Sequence, residues 1–336
     1  MSDALAQDGD SLPGASAPFF LPPRARDAHK GRFGHVLIVA GSPGMAGAGV
    51  LAARAAQRAG AGLVTLALPR GLNLAAEVAL GSIMSMPLPE TEQGALGIAA
   101  ARAVLDAAGR GERGQGPARH FDAFALGPGM RTGEETGRMV RVLARELPGT
   151  AVIDADGLNG LAGRVGESLA GRSAPTVLTP HPGEMARLTG LAGAAEVQAD
   201  REGLARRLAL EAGAVVVLKG IGTVVTDGRR LAVNGTGNPG MASGGMGDVL
   251  TGLIAGLTCQ GLGPFEAARL GAFVHGLAGD LAARRVGEIS LIAEDVLTAT
   301  PEVLRALEAL SRSSKDGGVS AAALAEAVLG AGDGLA

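Results

Sequence analysis

Val215-Val-Val-Leu218, Lys219-Gly-Ile-Gly-Thr223-Val-Val-Thr226, Asp227-Gly-Arg-Arg230, Leu231-Ala-Val-Asn234 and Gly235-Thr-Gly-Asn-Pro-Gly-Met-Ala-Ser-Gly-Gly-Met-Gly-Asp248 follow one another without a break. A short, wholly apolar run such as Val215-Leu218 reads as a strand buried on both faces. Thr223-Thr226 and Leu231-Asn234 flank Asp227-Gly228, a strong antiparallel hairpin signal. The glycine-dense segment then runs into an apolar helix at Val249-Leu257. Buried strand, hairpin, glycine-rich turn and helix together predict an α/β sheet with a ligand edge.

Outward from this stretch the pattern alternates. Apolar runs at His35-Ala40, Leu63-Leu68, Ala123-Leu126, Ala151-Ile153 and Thr176-Leu178 predict further strands. Helical spacing at Gly47-Ala59, Ala95-Ala108, Gly133-Glu146 and Val197-Ala212 separates most of them. Three more helices are expected at 246-258, 264-285 and 293-310. Strands spaced by helices predict a mostly parallel sheet covered on both faces, with the hairpin in the C-terminal half. The expected organisation is a flexible N-terminal arm at 1-28, one domain at 29-310 and a flexible C-terminal tail at 311-336 with room for a short Ala-rich helix. Gly109-Arg119 reads as a polar surface loop.

Composition narrows the function. Hydrophobic residues make up 47% of 336, yet there are only 7 Phe and no Trp or Tyr, so the core must be aliphatic and closely packed. A net charge of −3 supplies no basic field for nucleic acid. The acidic start lacks a signal peptide's basic and apolar regions, and no apolar stretch reaches the roughly 18 residues of a membrane span. A cytoplasmic protein is expected. The one cysteine, Cys259, has no partner for a disulfide or a metal cluster and reads as a small buried hydrophobe.

Five constellations fall just after predicted strands, where open α/β sheets bind ligands. Ala40-Gly-Ser-Pro-Gly-Met-Ala-Gly-Ala-Gly49 contains a G-x-G-x-x-A pattern, but six residues part Ala40 from Gly47 and Leu68-Pro69-Arg70 ends the next strand without a ribose-binding acid. That argues against a dinucleotide fingerprint and leaves a close backbone approach to a planar ligand. In Asn234-Asp248, glycines at a helix start aim free N–H groups at one point and favour a phosphate. Lys-Ser/Thr does not follow, so this is not a Walker loop. Asp248 in the first turn is either a helix cap or a general base beside a transferring phosphoryl group. Lys219-Thr223 is either a plain connection between strands or a nucleotide loop. In Thr179-Pro-His-Pro-Gly-Glu184, two prolines brace His181 and Glu184. His181 has no nearby His or Cys to share a metal. Gly127-Pro-Gly129 and Asp154-Ala-Asp156 complete the set.

With these segments in view, residues 29-310 resemble the ADP/ATP-dependent NAD(P)H-hydrate dehydratases of the ribokinase-like superfamily. The matching residues are His29-Lys-Gly-Arg-Phe-Gly34, Ala40-Gly-Ser42, Gly127-Pro-Gly129, Asp154-Ala-Asp156, Thr179-Glu184, Lys219-Thr223 and Asn238-Asp248. The resemblance implies a ribokinase-like three-layer α/β/α sandwich. It also implies a hydro-lyase that phosphorylates the S form of hydrated NADH or NADPH from ADP or ATP and eliminates phosphate, leaving AMP or ADP. By the same resemblance Ala46, Gly129, His181 and Asp248 bind the hydrate, while Lys219, Gly220, Ile221, Gly222, Thr223 and Gly247 bind the nucleotide. Asp248 is the implied base, and the backbone of Gly245, Met246 and Gly247 the implied phosphoryl cradle. Mg2+ bridging the phosphates, a homotetramer and a separate epimerase are further implications, the last because 28 residues leave no room for one. A ribokinase-superfamily kinase acting on a vitamin precursor would share the fold and Asp248. A non-catalytic nucleotide-binding module would leave that carboxylate unexplained.

Overall fold

The computed structural model describes residues 18–109 and 121–330, and the loop expected at Gly109-Arg119 lies outside them from residue 110 onward. Nine strands form one sheet: β1 (His35–Val39), β2 (Leu63–Pro69), β3 (Met84–Leu88), β4 (Ala123–Leu126), β5 (Thr150–Ile153), β6 (Thr176–Leu178), β7 (Val215–Leu218), β8 (Thr223–Thr226) and β9 (Leu231–Asn234). Their order is β3-β2-β1-β4-β5-β6-β7-β8-β9. Every neighbouring pair from β3 to β7 is parallel, and β8 and β9 add antiparallel. The chain leaves β1 for β2 on one side and resumes at β4 on the other. That reversal opens a crevice at the carboxyl ends of β1 and β4.

Alternation along the strands explains the two covered faces. Leu37, Val39, Phe124, Leu126, Ile153 and Leu178 pack on one side. There they meet α3 (Ile98–Ala107), α4 (Glu134–Glu146), α5 (Ala155–Leu161), α6 (Val165–Leu169), α7 (Pro182–Thr189), α8 (Ala194–Ala199) and α9 (Arg201–Ala212). Val36, Ile38, Ala125, Val152 and Val217 point the other way, toward α1 (Ala46–Arg58), α2 (Asn73–Leu80), α10 (Met246–Thr258) and α11 (Pro264–Val286). α12 (Ala293–Ser313) and α13 (Ala321–Leu329) add an outer layer on that side. The α1–α10 crossing uses the small residues: a β-carbon on Gly252 or Gly256 would collide with the carbonyl of Ala52 or Ala56. Among the described residues no helix is long and apolar enough to cross a membrane. Cys259 is partly buried against this core, and burial first, then Asp122, pushes its thiol up to about 12.

Several elements differ from expectation. β3 escapes a pattern search because Pro87 sits in it and Met84, Ser85 and Met86 are only partly buried; it is an edge strand, where proline is tolerated. The single helix expected at 197-212 is two, with Asp200 capping the second through Gly203 N. The hairpin turn is the four residues 227–230, with Asp227 Oδ1 accepting from the N–H groups of Arg229 and Arg230. Both ends of the described chain are docked. Phe19 is 3% exposed and pairs with Val319, while α13 buries Leu324 completely. Within the segments expected as arm and tail, Phe19, Val319 and Leu324 are buried while most of the other described residues stay exposed or partly buried.

Candidate active site

The deepest polar cluster lies at the carboxyl ends of β5, β6 and β7. Asp154 follows β5 and is 1% exposed. Its Oδ1 accepts from Lys219 Nζ at 2.7 Å and its Oδ2 from Thr251 Oγ1 at 2.8 Å. Glu184, nearly buried, stands 3.7 Å from the same ammonium. Burial alone would pull the Lys219 ammonium down, but Asp154, Glu184 and Asp248 outweigh it and hold the group above its usual value. The residue after Asp154, Ala155, has φ +48, a conformation that a side chain disfavours. Asp156 is turned to accept from Arg131 N at 2.8 Å.

Asp248 completes this cluster. Gly245, at φ +88, occupies the N-cap of α10 with no side-chain cap bond, and Asp248 is the third helical residue. The carboxylate therefore does not cap the helix, and among the described residues no side chain caps the first N–H groups of α10, which leaves them to an anion. A β-carbon on Gly247 would lie 3.3 Å from Lys219 Nζ and 3.4 Å from Asp154 Oδ2, so the helix start abuts the charged pair. Burial first, then the negative charge of Asp154, with Lys219 opposing and Asp156 adding, pushes the Asp248 carboxyl up to about 7. A base with that value can take a proton near neutral pH.

In the crevice between β1 and β4, Gly129 packs against Met45 and Ala48 at the start of α1, the helix that Ala46 opens. Ser42 Oγ donates to the Gly129 carbonyl at 2.8 Å, and a β-carbon on Gly129 would sit 2.6 Å from the Met45 carbonyl oxygen. This crevice joins the α10 start through α1: a β-carbon on Gly245 would approach Leu51 Cδ1 at 2.8 Å. No side chain fits at either point without displacing its neighbour.

His181 differs from expectation. Thr179-Glu184 is not simply a braced loop, since Pro182 begins α7 and His181 is its N-cap. Nδ1 accepts from Gly183 N at 3.0 Å and Glu184 N at 3.3 Å, while Glu184 Oε2 accepts from His181 N at 2.8 Å. This reciprocal arrangement is a capping box with imidazole in place of the usual hydroxyl. Burial first, then Lys219 and Arg187, lowers the His181 pKa, which favours the neutral ring that the accepting Nδ1 requires. Nε2 faces Glu184 Oε1 at 3.4 Å on a half-exposed side chain.

Lys219 belongs to the charged cluster, while Gly220-Thr223 leads from it to the surface. Thr223 Oγ1 donates to the Gly220 carbonyl at 2.9 Å, and the Ile221 side chain is 99% exposed. Arg201, which sequence reasoning passed over, fixes this turn from α9: Nη2 donates to the carbonyls of Leu218 at 2.9 Å and of Lys219 and Gly222 at 3.3 Å. Thr251 was also missed, hidden inside the apolar run of α10. Among the described residues no three His, Cys, Asp or Glu side chains form a metal cage. The acids beside Lys219 are already engaged with it, so these residues do not fit a resident metal ion.

Comparison with known proteins fits this geometry. A family described as NAD(P)H-hydrate dehydratase matches residues 36–302. The bifunctional NAD(P)H-hydrate repair enzyme Nnr of Moorella thermoacetica is 48% identical over 290 residues, covering 86% of this chain and 52% of that protein. Its counterpart in Thermofilum pendens is 41% identical over 305 residues, 90% of this chain and 56% of that protein. The chain thus spans about half the length of the curated relatives it matches. The ADP/ATP-dependent NAD(P)H-hydrate dehydratase of Bacillus subtilis, co-crystallised with ATP and Mg2+, superposes with a TM-score of 0.73 at 28% identity, over 86% of this chain and 98% of that one.

Proposed function

This chain belongs to the NAD(P)H-hydrate dehydratase family, and from that premise we propose that it repairs the S form of hydrated NADH or NADPH at the expense of ADP or ATP. The observation that carries the reading is the placement of Asp248, in the first turn of α10 beside that helix's uncapped start and the Lys219–Asp154 pair.

In the proposed reaction the hydrate lies over Ala46, Gly129 and His181, with its ring hydroxyl at Asp248. The carboxylate takes the hydroxyl proton as the oxygen attacks the terminal phosphorus of the nucleotide, work worth about 10²–10⁴-fold in rate. Backbone N–H groups of Gly245, Met246 and Gly247 hold the charge on the transferring group. Lys219, steadied by Asp154, faces the same phosphates, and Gly220, Ile221, Gly222 and Thr223 line the adenylate. The C–O bond then breaks, phosphate leaves, and loss of a ring proton restores the double bond. AMP remains from ADP, or ADP from ATP. Mg2+ would arrive with the nucleotide and neutralise its phosphates.

A vitamin-precursor kinase would retain the phosphate on its product. Chemically prepared hydrate supplied with ADP or ATP tests the difference: repair releases inorganic phosphate together with reduced-nicotinamide absorbance. A stable phosphorylated product would instead support the kinase. Epimerisation of the R hydrate is assigned to a separate epimerase, and a cytoplasmic homotetramer is the proposed working form, on family resemblance.

A further inference from the structure

A second concave site lies at the far ends of α1 and α10. Both helices begin at the candidate active site, at Ala46 and Met246, and each runs 13 residues. At 1.5 Å per residue that is about 20 Å. Beyond their last turns, against Ala59, Gly60 and Gln260, opens a cavity of about 940 Å³ walled by the segment 20–26 and by α12. That is the size of a small-molecule pocket.

Its charge is one-sided. Arg24, Arg26, Arg58, Arg305 and Arg312 line it, and the one acid among the lining residues is Glu308. Glu308 is taken by Arg312 at 2.7 Å. Arg24 is taken by the Gly60 carbonyl at 2.5 Å and by Gln260 Oε1 at 2.9 Å, and its guanidinium rests over the Phe33 ring. Arg26, Arg58 and Arg305 have no hydrogen bond or ion pair to any described residue. Three unpaired guanidiniums around one concavity repel one another, and an anion between them removes the repulsion.

We propose that this cavity binds a small, phosphate-rich molecule. Guanidinium groups match phosphate oxygens in pairs, and several arginines around one concavity favour several phosphates over one. The site is distinct from the one that carries Asp248, so its ligand need not be a reactant.

The test is calorimetric titration of the full chain with inorganic tripolyphosphate, for wild type and the Arg58→Ser/Arg305→Ser double variant. Both arginines are exposed and unpartnered, and neither belongs to the catalytic machinery, so repair activity and melting temperature should match wild type. Any binding of tripolyphosphate at the nucleotide site is common to both proteins. The expected result is one additional site in wild type, weakened at least tenfold in the double variant and weakening further as salt is raised. Equal stoichiometry and affinity in wild type and double variant would overturn the proposal, whatever the outcome for the repair reaction.

Discussion

Lys219 Nζ lies 2.7 Å from Asp154 Oδ1, a contact between the ends of β7 and β5 that 65 residues of chain separate. The pair abuts the first turn of α10, which carries Asp248, and Asp154 is the strongest of the charges that raise that carboxyl.

A base must be ionised to act. The rate under kcat/KM conditions should therefore rise with pH through about 7, the value of the Asp248 carboxyl in the empty site. Asp154→Asn removes a negative neighbour and leaves Lys219 free to face Asp248. Both changes lower the Asp248 pKa, so the acidic limb should move to lower pH while the protein loses stability from the broken buried pair, by about 3–5 kcal/mol. A pH–rate profile unchanged by Asp154→Asn in the folded variant would detach the pair from the base.

His181 has two separable duties. Removing the cap with His181→Ala should cost about 1 kcal/mol of stability, whereas His181→Asn retains a good capping side chain. Both variants lose the imidazole and should bind the hydrate more weakly, with nucleotide affinity intact. Melting curves and hydrate KM measured on the two variants separate the roles. Wild-type hydrate KM in His181→Asn would leave the ring only its capping function.

Gly222 has φ +61, and a β-carbon there would meet Val233 Cγ1 at 3.4 Å. A β-branched residue in that conformation costs about 1–2 kcal/mol. Gly222→Val should therefore displace the loop and raise the nucleotide KM on the order of tenfold. The hydrate KM should hardly move. An unchanged nucleotide response would remove Gly220-Thr223 from the site.

Much of this site was legible in sequence because its parts are local. Val215-Leu218, the hairpin and the glycine-rich approach to Asp248 each announce themselves within a few residues. Pairings across the sheet do not. Asp154 was visible as an acid after a strand, but its bond to Lys219 depends on β5, β6 and β7 lying side by side. Thr251 reads as one more residue of an apolar helix until Asp154 is seen beneath it. For His181 the signal was present, Pro182 at the first helical position and Glu184 at the third, but imidazole is an uncommon cap and the prolines suggested a loop. At the chain ends, Phe19-Phe20-Leu21 is a short apolar run bracketed by prolines, and Leu324 sits within an Ala-rich helical stretch, so neither shows in sequence what it packs against.

Stability should record two buried groups with opposite signs. Burial lowers His275 from 6.5 to about 4, and its Nε2 is buried without a hydrogen-bond partner among the described residues. Its contribution is complete above pH 6.5 and is lost as pH falls through about 4. Asp248, raised from 3.8 to about 7, does the reverse: its contribution is complete below pH 3.8 and is lost as pH rises through about 7. His275→Leu should therefore flatten the acid-side loss of stability, and Asp248→Asn should raise the melting temperature at pH 8 relative to wild type. Denaturation of both variants across pH 4–8 checks the signs, and parallel curves for wild type and variants would contradict them.

The most direct measurement follows nicotinamide absorbance as Asp248→Asn repairs chemically prepared hydrate, with nucleotide binding read in parallel by thermal shift. Asparagine keeps the shape of the side chain but cannot take the hydroxyl proton. The account predicts a folded variant that still binds nucleotide and whose turnover falls on the order of 10²-fold or more. Near-normal repair by that folded variant would contradict it.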